Sequence, residues 1–166
     1  MTRVMKRSFT AMVCAAVFAI GARVQADPPP VTPAEREEIA RLMRTFFDAT
    51  RDGDTNTLAT VVPSDTEFAR IFETGTEPLV ERHRRAIAQA FTELRTRFAS
   101  GQFVAVHGLE AATPLRIERC SNFASRTSEC ITGPVIEWSA NGQSYRMRVN
   151  RLVRVGGHWR ILAPRL

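Results

Sequence analysis

The spacing of apolar residues changes near residue 102, from a helical period to an extended one. Before this point apolar side chains recur every three or four residues, which predicts helices at about 33–50, 54–62, 65–72 and 77–98. Thr32-Pro33-Ala34-Glu35 and Ser64 to Glu67 form capping boxes that mark two of the helix starts. After it, strand character is found at 103–109, 115–120, 131–138, 143–155 and 158–163. Helices followed by antiparallel strands predict an α+β fold, with the helices packed on one face of a sheet.

The end of the chain predicts two consecutive β-hairpins. Asn141-Gly142 is typical of a two-residue type I′ turn, which would pair Trp138 with Tyr145. Gly156-Gly157 marks a second turn, where a three-residue loop (156–158) would pair Val155 with Trp159 and Val153 with Ile161. A two-residue loop would instead place Trp159 beside Arg154, so the longer loop is preferred. The period of two then predicts one concave apolar row, interrupted by Arg151 and made of Ile136, Trp138, Tyr145, Met147, Val149, Val153, Val155, Trp159 and Ile161.

The net charge of +6 is concentrated at the start of the chain. Residues 1–26 contain four basic residues and no acidic one, which leaves 19 basic and 17 acidic residues from Asp27 onward, a net charge of +2. A basic start, an apolar run from Phe9 to Ala22 and the small residues of Val24-Gln25-Ala26 predict a cleaved signal peptide over residues 1–26. The alternative is a membrane anchor, but the run is shorter than the roughly 20 residues that a spanning helix needs.

Export has consequences for the rest of the chain. We expect a periplasmic or secreted protein that meets the membrane only transiently, through its signal peptide. Residues 27–33 are proline-rich and predict an extended linker without packing, and residues 34–166 predict a single domain. Because an exported chain reaches an oxidising compartment, the pair Cys120 and Cys130 predicts a disulfide.

The order of elements resembles a known family. A capped first helix ending near Asp52-Gly53-Asp54, a short second helix, a long later helix and the hairpin sequence Arg-Val-Gly-Gly-His-Trp-Arg-Ile at 154–161 are similar to the NTF2-like superfamily, which includes SnoaL-type cyclases and ketosteroid isomerase. The resemblance covers nearly all of residues 32–166. It implies a cone in which a curved antiparallel sheet wraps the long helix around a pocket, and it implies that homodimers through the sheet are common.

A pocket of this kind would be lined by residues that point into the cone. The candidates are polar and aromatic side chains from the long helix and the sheet: His83, Tyr145, Arg151, Trp138 and Trp159, with His107 as a further polar candidate. A buried arginine beside a tyrosine and a histidine would suit an anionic head group. Ordinary packing is the alternative for His83 and for a Trp138–Tyr145 pair. For Arg151 the alternative is a β-bulge that turns Leu152 inward and the arginine outward.

Other chemistries have little support in the sequence. Family members that act as isomerases use an inward aspartate base, whereas the inward row of the first helix has no Asp, Tyr or His and Asp48 falls about half a turn away. The three histidines lack metal-site spacing, so we expect no metal and no cofactor. Aromatic residues do not alternate with the arginines of the terminal strands (Arg146, Arg148, Arg154 and Arg160), so we expect a solvated outer face and no nucleic-acid partner.

Together these patterns predict an exported NTF2-like module that binds a small apolar or anionic ligand or takes part in assembly at the cell envelope, with a homodimer through the sheet as a possible partner arrangement. The alternative is a SnoaL-like or isomerase-like enzyme acting on a small apolar substrate in the cone.

Overall fold

A computed structural model describes residues 29–72, 77–110, 115, 117–120, 128–149 and 151–162. The predicted signal peptide and the first residues of the predicted linker lie outside this part. The described residues form helices followed by antiparallel strands, so the predicted α+β class is confirmed.

Four helices are described, and their bounds agree with the sequence pattern: α1 Pro33–Asp52, α2 Thr55–Val61, α3 Asp65–Phe72 and α4 Glu77–Phe98. The Thr32 hydroxyl accepts the Glu35 N–H, while a Glu35 carboxylate oxygen accepts the Thr32 N–H at 2.9 Å, which completes the predicted capping box. Ser64 and Glu67 make the same reciprocal pair before α3. Gly53 ends α1 because its φ of 73° suits a residue without a side chain.

The strands form two small sheets rather than one. They are β1 Gln102–His107, β2 Glu118–Arg119, β3 Glu129–Ile131, β4 Val135–Ala140, β5 Gln143–Arg148, β6 Leu152–Val155 and β7 His158–Ile161. The first sheet has the order β1-β4-β5 and the second the order β2-β3-β6-β7, and all pairs are antiparallel. Two predicted strands, 131–138 and 143–155, are thus each divided between the sheets.

The two sheets meet between residues 131–135 on one strand and 148–152 on the other, and the pairing register is the same on both sides of this junction. Val135 pairs with Arg148 and Ile131 with Leu152, so both strands advance by four residues and none is inserted. Val149 and Leu152 are both fully buried in the main core, although residues three apart on a regular strand point to opposite faces. Leu152 therefore occupies the core and Arg151 is half-buried. The predicted row through Arg151 is therefore wrong, and Leu152 turns inward without the inserted residue that a bulge would require.

The first terminal hairpin is confirmed and the second is corrected. Trp138 pairs with Tyr145 as predicted. In the second hairpin Val155 pairs with His158 and Arg154 with Trp159, which makes the loop two residues long. Gly156 and Gly157 have φ values of 58° and 84°, as a type I′ turn requires at both central positions. The predicted pairs of Val155 with Trp159 and of Val153 with Ile161 are therefore wrong.

The second sheet is covered on both faces. Leu152 of β6 belongs to the main core with α1 and α2, whereas its neighbour Val153 belongs to a second cluster that includes Phe68 and Ile71 of α3. The ion pairs follow the same division. Glu35 of α1 pairs with Arg154, and Glu67 of α3 pairs with Arg160. For this sheet the expectation that the helices share one face is wrong, because α3 lies opposite α1.

The predicted disulfide is confirmed. Cys120 and Cys130 are bonded, with their Cα atoms 5.3 Å apart, and both are almost completely buried in the second cluster. Cys120 is the residue after β2 and Cys130 lies in β3, so the bond joins adjacent strands beneath α3.

The end of the predicted linker is packed, contrary to expectation. The Val31 N–H donates to the Leu115 carbonyl oxygen at 3.1 Å, and the Ile117 N–H donates to that of Pro29 at 3.1 Å. The Val31 side chain is 4% exposed and belongs to the main core. The ordered fold therefore begins before α1. Within the described ranges, none of the helices has the length and apolar character needed to span a membrane.

Candidate functional groove

A β-bulge in β1 shapes one wall of a groove. Phe103 pairs with Trp138 and Val106 with Ile136, and the register shifts between Phe103 and Ala105. Since Trp138 and Ile136 are both buried in the main core, Phe103 and Val106 share that inward face although they are three residues apart. The extra residue, Val104, is left 54% exposed on the outside.

The groove lies between this strand and α1. It has a volume of about 440 Å³, within the usual range of about 300–1,000 Å³ for small-molecule sites. One side comes from α1 and the other from β1 and the turn after it, and the lining residues are Ala40, Arg41, Arg44, Phe103, Val106, Leu109 and Glu110. Small and apolar side chains thus form its floor, and three charged side chains contribute to its lining.

The two arginines are exposed along α1. Their side chains are 72% and 66% exposed for Arg41 and Arg44, respectively. Arg41 Nη1 is 3.8 Å from Glu37 Oε2 and Arg44 Nε is 3.7 Å from Asp48 Oδ2, distances longer than a hydrogen bond. The Arg44 guanidinium carbon also lies 5.2 Å from the centre of the Phe103 ring, a cation–π contact.

Glu110 closes the other end of the groove. Its Oε2 accepts the Gly108 N–H at 2.9 Å, and its backbone oxygen accepts Arg36 Nη1 at 2.7 Å. The first hydrogen bond lies within the turn after β1, and the second connects this turn to the first part of α1. These contacts hold the two walls of the groove together.

His83 lies away from this groove and packs against the second cluster. Its ring stacks on Phe68 of α3 at a centroid distance of 3.8 Å, and its side chain is 8% exposed. Burial lowers the pKa of His83 to about 4, an effect that the nearby Asp65 carboxylate partly opposes. Its Nε2 atom has no hydrogen-bond partner among the described residues. His83 therefore belongs to the α3–α4 packing.

The two tryptophans are packed in the main core. Trp138 lies 4.9 Å from Phe98 between ring centroids and stacks on Tyr145 at 5.6 Å, while Trp159 is 1% exposed. Tyr145 is 40% exposed, and its hydroxyl donates to Gln143 at 3.3 Å. The five predicted pocket residues are thus distributed over two clusters and the surface, and none of them lines the groove.

His107 points to the outer face of the first sheet. Because of the bulge it pairs with Val135 on the face that carries Glu137, and its Nε2 contacts the Glu137 carboxylate. Hydrogen bonds from Ser144 and His107, and then from Arg146, lower the pKa of Glu137 to about 2. This cluster joins β1, β4 and β5 through one carboxylate. Ser144 donates to Glu137 and not to the histidine, so the arrangement is not a nucleophile–base pair.

The buried polar side chains of the described residues are Thr50 and His83, and no carboxylate is among them. The same residues contain no group of three potential metal ligands. Comparisons with protein-family models, with curated proteins and with solved structures found no match.

Proposed function

We propose that this protein is an exported, single-domain, NTF2-like binding module that holds a small apolar molecule in the groove between α1 and β1. The groove itself carries the proposal, because its apolar surface lies between two elements that both pack on the main core. The Cys120–Cys130 disulfide supports an oxidising, extracytoplasmic location. The α+β element order supports the NTF2-like assignment.

The walls of the groove are pre-organised. Phe47 of α1 contacts Phe98 at 4.5 Å and Phe103 at 5.8 Å between ring centroids, which fixes β1 against the helices. A ligand would therefore enter a formed site and would not need to order it, which preserves binding free energy.

The test fills the groove by substitution. N-phenyl-1-naphthylamine is a neutral apolar probe whose fluorescence rises when it leaves water, and we expect it to bind the purified protein with one-to-one stoichiometry. Ala40→Trp should abolish this binding, because the indole would occupy the space above the floor. Ala88→Trp is the matched control, since Ala88 is an exposed alanine of α4 and does not line the groove. Equal probe binding by the two variants would refute the proposal.

Assembly through the first sheet is a second candidate. It is favoured by β5, which is an edge strand among the described strands and whose Tyr145 is 40% exposed, because an exposed aromatic residue on an edge strand suits contact with another chain. Sedimentation analysis should then show a homodimer that Tyr145→Lys dissociates. A wild-type protein that remains monomeric at high concentration would count against this candidate.

A further inference from the structure

The charges around the groove differ from one wall to the other, and this difference indicates the class of ligand. Arg41 and Arg44 are three residues apart on α1 and therefore lie on neighbouring positions of one helix face. The larger apolar lining residues, Phe103, Val106 and Leu109, come from the opposite wall. A ligand lying across the groove would meet positive charge on one side and apolar surface beneath it.

The guanidinium groups have hydrogen-bonding capacity for such a ligand. Their carboxylate neighbours on α1 lie 3.7–3.8 Å away, so these ion pairs are loose and largely solvated. An incoming anion can replace them with direct charge-assisted hydrogen bonds, which are shorter and stronger. The ring contact with Phe103 holds Arg44 beside the floor and so places its charge next to the apolar surface.

The acidic lining residue is positioned differently. The Glu110 carboxylate accepts the Gly108 N–H within its own turn and lies 3.8 Å from His107 Nδ1. Its charge is thus directed toward the turn after β1. The lining as a whole carries two positive groups on α1 and one negative group at the other wall, which favours an anion on the helix side.

We propose that the groove binds apolar molecules that carry a single anionic group, with Arg41 and Arg44 holding the anion and Phe103, Val106 and Leu109 holding the apolar part. A medium-chain carboxylate has this chemistry. This inference rests on the proposed function, because it specifies the ligand class of the same groove. It commits to a free molecule rather than to a lipid surface.

The experiment compares ligands that differ only in their head group. Decanoate, decanol and decylamine are titrated into the protein by calorimetry, below their aggregation concentrations and at low salt. We expect decanoate to bind at least about ten-fold more tightly than decanol, and decylamine to bind most weakly. The preference for decanoate should decrease as salt screens the arginines.

Charge variants test which residues cause the preference for decanoate over decanol. Arg41→Gln combined with Arg44→Gln should remove most of the advantage of decanoate over decanol, measured as the ratio of the two dissociation constants. Arg85→Gln is the matched control, because Arg85 is 75% exposed on α4 and lies 3.7 Å from Glu81, a carboxylate four residues away on the same helix.

Different failures separate the two proposals. If decanol binds as tightly as decanoate and Ala40→Trp abolishes both, the groove is a ligand site but its preference for anions is refuted. If none of the three compounds binds but N-phenyl-1-naphthylamine does, this inference alone fails. If the probe does not bind either, the proposed function fails and this inference fails with it. Arginine-dependent binding to anionic lipid vesicles without binding of decanoate would also overturn the inference, because a membrane surface would then be the partner.

Discussion

Arg154 lies opposite Trp159 in the terminal hairpin, and its guanidinium carbon is 5.7 Å from the centre of the indole ring. The same guanidinium donates to Glu35 of α1 at 3.0 Å and to Glu129 of β3 at 3.3 Å. The Glu35 side chain is only 13% exposed and also caps α1 through Thr32. One arginine thus connects the start of α1 to the second sheet.

Replacing this arginine should loosen that connection. We expect Arg154→Ala to lower the free energy of unfolding by about 1–3 kcal/mol, the range for losing hydrogen bonds to charged groups at a partly exposed site. Urea denaturation of the purified protein measures the change. Arg148→Ala is the control because Arg148 is exposed on β5. A loss for Arg154→Ala no larger than that of the control would show that the pairing contributes little.

The same contact explains why local sequence reasoning mispredicted the second hairpin. Asn141-Gly142 was sufficient for the first hairpin, because a type I′ turn and an apolar pairing indicated the same register. At Gly156-Gly157 the apolar pattern favours a three-residue loop, because a two-residue loop places the charged Arg154 beside Trp159. The stabilising partner is Glu35, which is 119 residues from Arg154 in sequence, so the local pattern could not reveal it.

The groove was missed for a related reason. Alternation along β1 predicts that Phe103, Ala105 and His107 share a face. Because of the bulge at Val104, the inward face is instead shared by Phe103 and Val106. No glycine or proline marks the bulge in the sequence. The available signal was on α1, where Ala40 is a small residue beside Arg41 and Arg44.

The helices were easier to predict because their capping residues are local.

Burial of His83 predicts a loss of stability in mild acid. Its pKa is about 4 in the folded protein, whereas the ordinary value is 6.5. Between these pH values the folded state therefore binds fewer protons than the unfolded state. The stabilisation is complete above pH 6.5 and is lost as the pH falls toward 4. At about 1.4 kcal/mol per pKa unit, the loss from pH 7 to pH 4.5 should be about 2–3 kcal/mol.

The Asp65 carboxylate, which forms an ion pair with Arg84, lies near His83. A variant without the histidine separates the contribution of His83 to the pH dependence of stability from that of such carboxylates. His83→Gln retains a polar side chain but does not titrate in this range. Its unfolding free energy should therefore change less between pH 7 and pH 4.5 than that of the wild type, with both measured by urea denaturation. Parallel pH profiles for the two proteins would contradict the prediction.

The disulfide should stabilise the region under α3. Cys120 and Cys130 are separated by 10 residues, and closing a loop of this size is worth about 2–3 kcal/mol in the chain-entropy model. The Cys120→Ala, Cys130→Ala double variant should lose about this much in urea denaturation. Wild-type protein in a reducing agent is the control and should approach the variant. If reduction leaves the wild-type unfolding curve unchanged, the bond does not contribute in this way.

Glu137 should titrate at unusually low pH because hydrogen bonds from Ser144, His107 and Arg146 favour its charged form. Its pKa of about 2 is below the ordinary 4.5, so its contribution to stability is present above pH 4.5 and is lost as the pH falls toward 2. NMR titration of the side-chain carboxyl carbon would measure this pKa directly.

Ser144→Ala should raise the pKa of Glu137, because it removes the largest of the lowering contributions. Ser139 is the matched control, since it pairs with Ser144 across β4 and β5. Ser139→Ala should leave the pKa of Glu137 unchanged. An equal shift in both variants would indicate a general disturbance of the sheet, whereas no shift in either would show that the serine hydroxyl does not hold the carboxylate. A selective rise would establish that this outward carboxylate is stabilised by cross-strand contacts among β1, β4 and β5.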